Sequence, residues 1–160
     1  VSKEVIPLDI TVLYKKAEWY MYNYHEIKSE VEEKRNEMQR SQHTMHDGLK
    51  DPTGKKALVN ITPIKAITIY VHSNGQKNKR ITIAYPERIV EAVESTLVKV
   101  SSLMRALVEA KYTYKRPWEQ TVAKEHISKD LYYNTIREFL FLLLLHLVEF
   151  NVLKISNKTI

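Results

Sequence analysis

Five polar side chains recur at helical spacing near the end of the chain: Lys129, Asp130, Tyr133, Asn134 and Arg137. Interleaved with them, Tyr132, Ile136, Phe139 and Leu143 make one apolar stripe. The polar set lies off that stripe and should face outward. Each member has chemistry suited to a nucleic-acid groove. Lys129 and Arg137 can reach guanine acceptors or phosphate, and Asn134 can make two hydrogen bonds with adenine. Asp130 can accept from cytosine or fix a neighbouring basic side chain. Tyr133 can bond phosphate or touch a thymine methyl. Just upstream, Lys115 and Arg116 are placed to hold the sugar-phosphate backbone. An ordinary amphipathic helix with solvated charges accounts for the same spacing equally well.

These side chains need elements to position them. Ser128 is a strong N-cap, because its hydroxyl can accept an orphan backbone N–H of the helix that follows. Pro117 suits a helix start, and Trp118 to Glu125 reads as a helix of two turns. His126-Ile127 connects the two. A short helix, a tight turn and a Ser-capped second helix predict a helix-turn-helix, whose second helix enters the major groove by its N-terminal turn. Ser128 belongs to that surface with Lys115, Arg116, Lys129, Asp130, Tyr133, Asn134 and Arg137.

The rest of the chain reads as helical scaffolding. Residues 9–40 predict one long helix capped by Asp9. Its apolar seam, Leu13, Ala17, Tyr20, Tyr24, Ile27 and Val31, repeats every four and three residues as in a coiled coil. The aromatic run Trp19 to Tyr24 is read as that seam and its shoulder rather than as a base-stacking surface. Residues 41–56, which hold two of the three glycines, read as a linker. His43, His46 and Asp47 within it lack a further ligand nearby, so no metal site is expected. Residues 64–85 are the β candidate: two partly alternating runs flank Asn74-Gly75, a hairpin signal. Lys77, Lys79 and Arg80 near its tip are read as solvated, with phosphate contact the alternative. Pro86 opens a second long helix, expected to run to about Tyr112. Its seam of Val93, Leu97, Val100, Met104 and Leu107 is widened by Ile89, Val90 and Val108 and should pack on the first seam.

Composition narrows the class. A chain of 160 residues with 44% apolar and 28% charged residues can bury one core. Three glycines and five prolines favour long helices over a β-sandwich, which needs frequent turns. The absence of cysteine excludes disulfides, thiol nucleophiles, iron–sulfur clusters and cysteine zinc sites. The net charge of +6 collects in two blocks, +5 over residues 51–86 and +3 over 111–160. Such a balance favours a polyanionic partner. No phosphate-binding loop, zinc-protease helix or serine-hydrolase elbow is present. No catalytic residue, cofactor or metal is therefore expected, and the chain is read as a non-enzyme. Nothing in residues 1–30 resembles a signal peptide. The longest uninterrupted apolar run, Phe139 to Leu145, is far short of the ~20 residues of a membrane span. It reads as a seam between copies of the chain, with a buried core helix the alternative.

The residues Trp118-Glu119-Gln120-Thr121 through His126-Ile127-Ser128, followed by Leu131-Tyr132-Tyr133, resemble the C-terminal segment of RinA/ArpU-type phage late transcription regulators. These are sigma-region-4-like helix-turn-helix proteins. The layout is similar too: a helix rich in Tyr and charge (Tyr20 to Met38) precedes a Pro-Thr linker (Asp51 to Ala57), a regulatory helix and a DNA-binding unit. The specific part of the likeness covers about twenty residues. The chain departs from the pattern in having His126 and no glycine in the turn, and in having Thr121 and Glu125 where apolar residues are usual. The resemblance implies binding to DNA upstream of phage packaging and structural genes and activation of their transcription. It leaves open a contact with host RNA polymerase.

Together these readings predict a mainly α protein: a long coiled-coil-like N-terminal helix, a short β-hairpin, a second long helix and a C-terminal helix-turn-helix. The expected divisions are 1–56 (helical arm and linker), 57–112 (hairpin and central helix) and 113–160 (helix-turn-helix and Leu-rich oligomerisation helix). The expected role is a sequence-specific, homo-oligomeric DNA-binding regulator in the cytoplasm of a bacterial host, with duplex DNA as partner and no membrane. Two alternatives stand: a small terminase subunit that marks phage DNA for packaging, and a protein–protein adaptor without DNA.

Overall fold

A computed structural model describes residues 10–46, 62–71 and 79–154, with the side chains of 42–46 excepted. The protein is mainly helical with a small two-stranded antiparallel sheet. The elements run α1 (Ile10–Tyr22), α2 (Tyr24–His46), β1 (Ala66–Val71), β2 (Lys79–Ala84), α3 (Pro86–Lys99) and α4 (Ser102–Val108). A π-helical segment (Glu109–Thr113), α5 (Trp118–Glu125) and α6 (Lys129–Glu149) follow. The chain forms two compact units, Val1–Asn23 with Glu91–Ile160, and Tyr24–Val90.

The first unit is built on α6. Tyr132, Ile136, Phe139, Leu140, Leu143, Leu144 and Leu147 are buried along it. Ala17 and Met21 of α1 and Met104, Leu107 and Val108 of α4 are buried in the same unit, where α1, α4 and α5 all pack on α6. Burying apolar side chains at about 25 cal/mol per Å² drives this assembly. The one histidine in this core is satisfied. His146 Nδ1 lies 2.8 Å from Thr96 Oγ and 3.0 Å from the Leu142 carbonyl, and Nε2 lies 3.1 Å from Lys99 Nζ. Thr96 Oγ already donates to the Ala92 carbonyl and Lys99 is only a donor. Nε2 therefore faces a donor and Nδ1 faces two acceptors.

The second unit packs α2 on β1. Tyr24, Ile27 and Val31 are buried on the helix, Ile67 and Ile69 on β1 and Ile83 on β2. The hairpin register pairs Ala66 with Ala84 and Val71 with Lys79. The two strands thus form where alternation predicted them. The Asn74-Gly75 tip and Lys77 lie outside the described residues. Arg35 links elements here: its guanidinium pairs with Glu87 and donates to the Thr62 carbonyl at 2.8 Å.

Three expectations need correction. The helix expected over 9–40 is interrupted at Asn23, whose side-chain amide donates to the Trp19 carbonyl at 2.8 Å. The same carbonyl also accepts the Asn23 backbone N–H at 3.2 Å. Asp9, the expected cap, lies outside the described residues. The apolar seam is consequently shared: Ala17 is buried in the first unit, and Tyr24, Ile27 and Val31 in the second, while Leu13 and Tyr20 are only half-buried. Second, the linker expected over 41–56 is helical as far as His46. Asp47 and the rest of it, like the side chains of His43 and His46, lie outside the described residues. Third, the helix expected from Pro86 to Tyr112 breaks at Val100-Ser101. Ser101 Oγ accepts from the Met104 N–H at 3.2 Å and starts α4. The last turns then widen into the π-helical segment.

Candidate nucleic-acid interface

The turn between α5 and α6 is built from the sequence signals around it. Pro117 stands at the N-cap of α5 with φ −56° and ψ 143°, and its carbonyl accepts the N–H groups of Gln120 and Thr121. Thr121 is buried in a place that would suit an apolar side chain. Its hydroxyl is satisfied by the Pro117 carbonyl at 3.5 Å. His126 ends α5 in the left-handed conformation, φ 54° and ψ 44°, and Ile127 N–H reaches the Val122 carbonyl at 3.2 Å. This is the bond pattern of a Schellman stop, which usually places glycine where His126 stands. Holding a residue with a Cβ there costs roughly 1–2 kcal/mol. Ser128 then caps α6, its Oγ accepting from the Leu131 N–H at 3.1 Å.

With that frame fixed, α6 turns two faces. Tyr132, Ile136, Phe139 and Leu143 are buried as the stripe predicts. Lys129, Asp130, Tyr133, Asn134 and Arg137 are all exposed. Leu131 joins them as an exposed apolar group. The greasy second half of α6 is mostly core, since Phe139, Leu140, Leu143, Leu144 and Leu147 are buried. Only Phe141 and Leu145, one turn apart, are left outward at 45% and 53% exposure. By length and composition alone α6 could cross a membrane, yet half of its most apolar window is buried inside the protein. Its Lys129, Asp130, Arg137 and Glu138 suit a core helix with one wet end.

The structure draws part of the expected surface together. Lys129 Nζ lies 4.7 Å above the Trp118 ring and 6.0 Å from that of Tyr133. The two rings are 6.2 Å apart and tilted by 48°. Beside them is an open cleft of about 260 Å³. Its cationic wall is Lys111, Lys115 and Arg116, and its aromatic wall is Tyr22, Trp118, Tyr132 and Tyr133. Lys115 holds φ 49°, and the next residue anchors the bend through Arg116 N–H to the Ala110 carbonyl at 2.8 Å. The Arg116 guanidinium lies 5.8 Å from the Tyr114 ring. Asp130, Asn134 and Arg137 do not line the cleft, and Ser128 acts as a cap.

Among the described residues, Lys111 is the one cleft cation with a carboxylate partner. Glu18 Oε1 of α1 takes Lys111 Nζ at 2.9 Å and the Tyr112 hydroxyl at 3.0 Å. Burial alone would lower the Lys111 pKa, but the hydrogen bond and charge of Glu18 together raise it. Burial, and then the neighbouring Glu18 charge, push the Tyr112 phenol far above its ordinary value. Burial also raises that of Tyr132.

Spacing could not have found Trp118, Lys111 and Tyr22 as members of this site. Trp118 and Lys129 are separated by a chain reversal, and Tyr22 arrives from α1. The usable signal was the density of aromatic and basic residues between Lys111 and Tyr133. Among the described residues, no three His, Asp or Glu side chains converge as a metal site would require. No family model, curated protein or solved structure matches the chain.

Proposed function

We propose that the chain is a DNA-binding transcription regulator, an activator of the phage late type that its C-terminal segment resembles. In this reading α5, the turn at His126 and α6 form a helix-turn-helix, and α6 enters the major groove by its first turns. The observation that carries it is the exposure of Lys129, Asp130, Tyr133, Asn134 and Arg137 on one side of a Ser-capped helix whose other side is core. Lys115 and Arg116 stand on the preceding bend, where phosphate contacts would fix the register. A second copy of the chain is part of the reading, with Phe141 and Leu145 as apolar contacts available to it. The cytoplasm of a bacterial host follows from the resemblance, which leaves a contact with its RNA polymerase open.

The test is selection of bound sequences from random duplexes, followed by gel shifts on the enriched site. Replacing Lys129, Asn134 and Arg137 together with Ala should abolish binding while leaving the fold intact. Wild-type affinity should fall steeply with salt, because phosphate neutralisation releases counterions. Unchanged affinity in the triple variant rejects the assignment. A ring of many copies by native mass spectrometry would replace the regulator with a packaging subunit.

A further inference from the structure

The cleft beside α6 gathers aromatic faces and cations. Among the described residues no acidic side chain pairs with Lys115, Arg116 or Lys129, whereas Lys111 is held by Glu18. Cations grouped in this way draw an anion from solution. The rings of Trp118 and Tyr133, 6.2 Å apart and tilted by 48°, offer π faces next to them, and Lys129 already sits over the Trp118 ring. The left-handed bend at Lys115 persists because the surrounding structure holds it, as the Arg116 N–H to Ala110 bond shows. A volume of about 260 Å³ lies just under the ~300 Å³ of small-ligand pockets and is too small for a duplex.

We propose that this cleft binds a single nucleotide, its phosphate on Lys115 and Arg116 and its base against Trp118 and Tyr133. The combination of positive groove and aromatic platform is the one that single-stranded nucleic acids use, and it is tolerant of base identity. The nucleotide is either free in solution or an unstacked unit of a strand. The inference goes beyond the duplex reading and stands without it, since Asn134 and Arg137 lie outside the lining.

The full chain carrying Trp19→Phe leaves Trp118 as its sole tryptophan, so its fluorescence reports the cleft. Thymidine monophosphate, thymidine, inorganic phosphate and a short oligothymidylate are titrated in turn. Saturable quenching is expected, with thymidine and phosphate each weaker than the monophosphate by about tenfold or more. Quenching by the monophosphate shows that a free nucleotide suffices; quenching by the oligonucleotide alone places the nucleotide in a strand. Lys115→Glu and Arg116→Ala should each weaken binding by about tenfold. Asn134→Ala with Arg137→Ala should leave it unchanged while impairing duplex gel shifts. Absence of quenching by both the monophosphate and the oligonucleotide overturns the proposal. So does phosphate that binds as well as the monophosphate, or unchanged affinity in a Lys115→Glu protein with native circular dichroism. Duplex binding that survives such a failure leaves the DNA reading standing.

Discussion

The two halves of α6 obey one backbone and opposite solvents. From Lys129 to Glu138 the helix hides one stripe and presents polar groups on the other side. From Phe139 to Glu149 it buries most of its circumference, with Leu143 and Leu147 at 0% exposure. The comparison teaches how a rigid presenting surface is made. The buried half, with Tyr132 and Ile136 of the wet half, pins the helix axis, so the polar side chains project from a fixed backbone.

That division can be broken experimentally. The largest effect should come from the buried half: Leu143→Ala should cost about 3 kcal/mol of unfolding free energy, through lost transfer energy and a cavity. Chemical denaturation measures it, and a loss under about 1 kcal/mol would show that this half is not the core. Next comes the cluster that ties α1 to the π-helical segment. The Tyr112 pKa is raised in the folded state, so the unfolded phenol ionises first as pH rises past about 10. Its contribution is complete below that pH and is lost above it; the raised Lys111 pKa acts with the same sign. Wild-type stability should therefore fall in alkali, and Tyr112→Phe should flatten that fall in denaturation curves taken across pH 9 to 11.

Smaller effects sharpen the account of the turn. Ser128→Ala should cost about 1 kcal/mol by leaving the Leu131 N–H without its cap, and Ser128→Gly only a few tenths. His126→Gly should stabilise by up to about 1 kcal/mol, because glycine takes the left-handed conformation without a Cβ clash. A loss there, read from the thermal midpoint, would mean that the imidazole makes a contribution beyond its backbone. The smallest change belongs to the wet half: Arg137→Ala should move stability by less than about 0.5 kcal/mol. A larger loss would mean that the exposed face is structural after all.

Local chemistry was legible where it sufficed. Pro117, Ser128 and the 132–136–139–143 stripe predicted α5, the cap and the buried face of α6, because caps and helical periodicity depend on neighbours within a few residues. The two paired strands followed from alternation. The long helices were over-extended for the same reason. A heptad count registers apolar spacing and is insensitive to one polar side chain, so Asn23 and Ser101 were passed over. The cleft was invisible because its walls come from α1, the π-helical segment, the bend at Lys115, α5 and α6.

By itself, the order of residues determined which segments are helical, where the α5–α6 turn falls and which side of α6 is wet. These are consequences of backbone sterics, capping and the 3.6-residue period, all of them short-range. Only the tertiary structure decided that the N-terminal apolar seam serves two units. It alone brought Glu18 to pair with Lys111, while among the described residues no carboxylate pairs with Lys115 or Arg116. Such pairings depend on which distant side chains the packed core brings within reach, and sequence separation carries no measure of that distance.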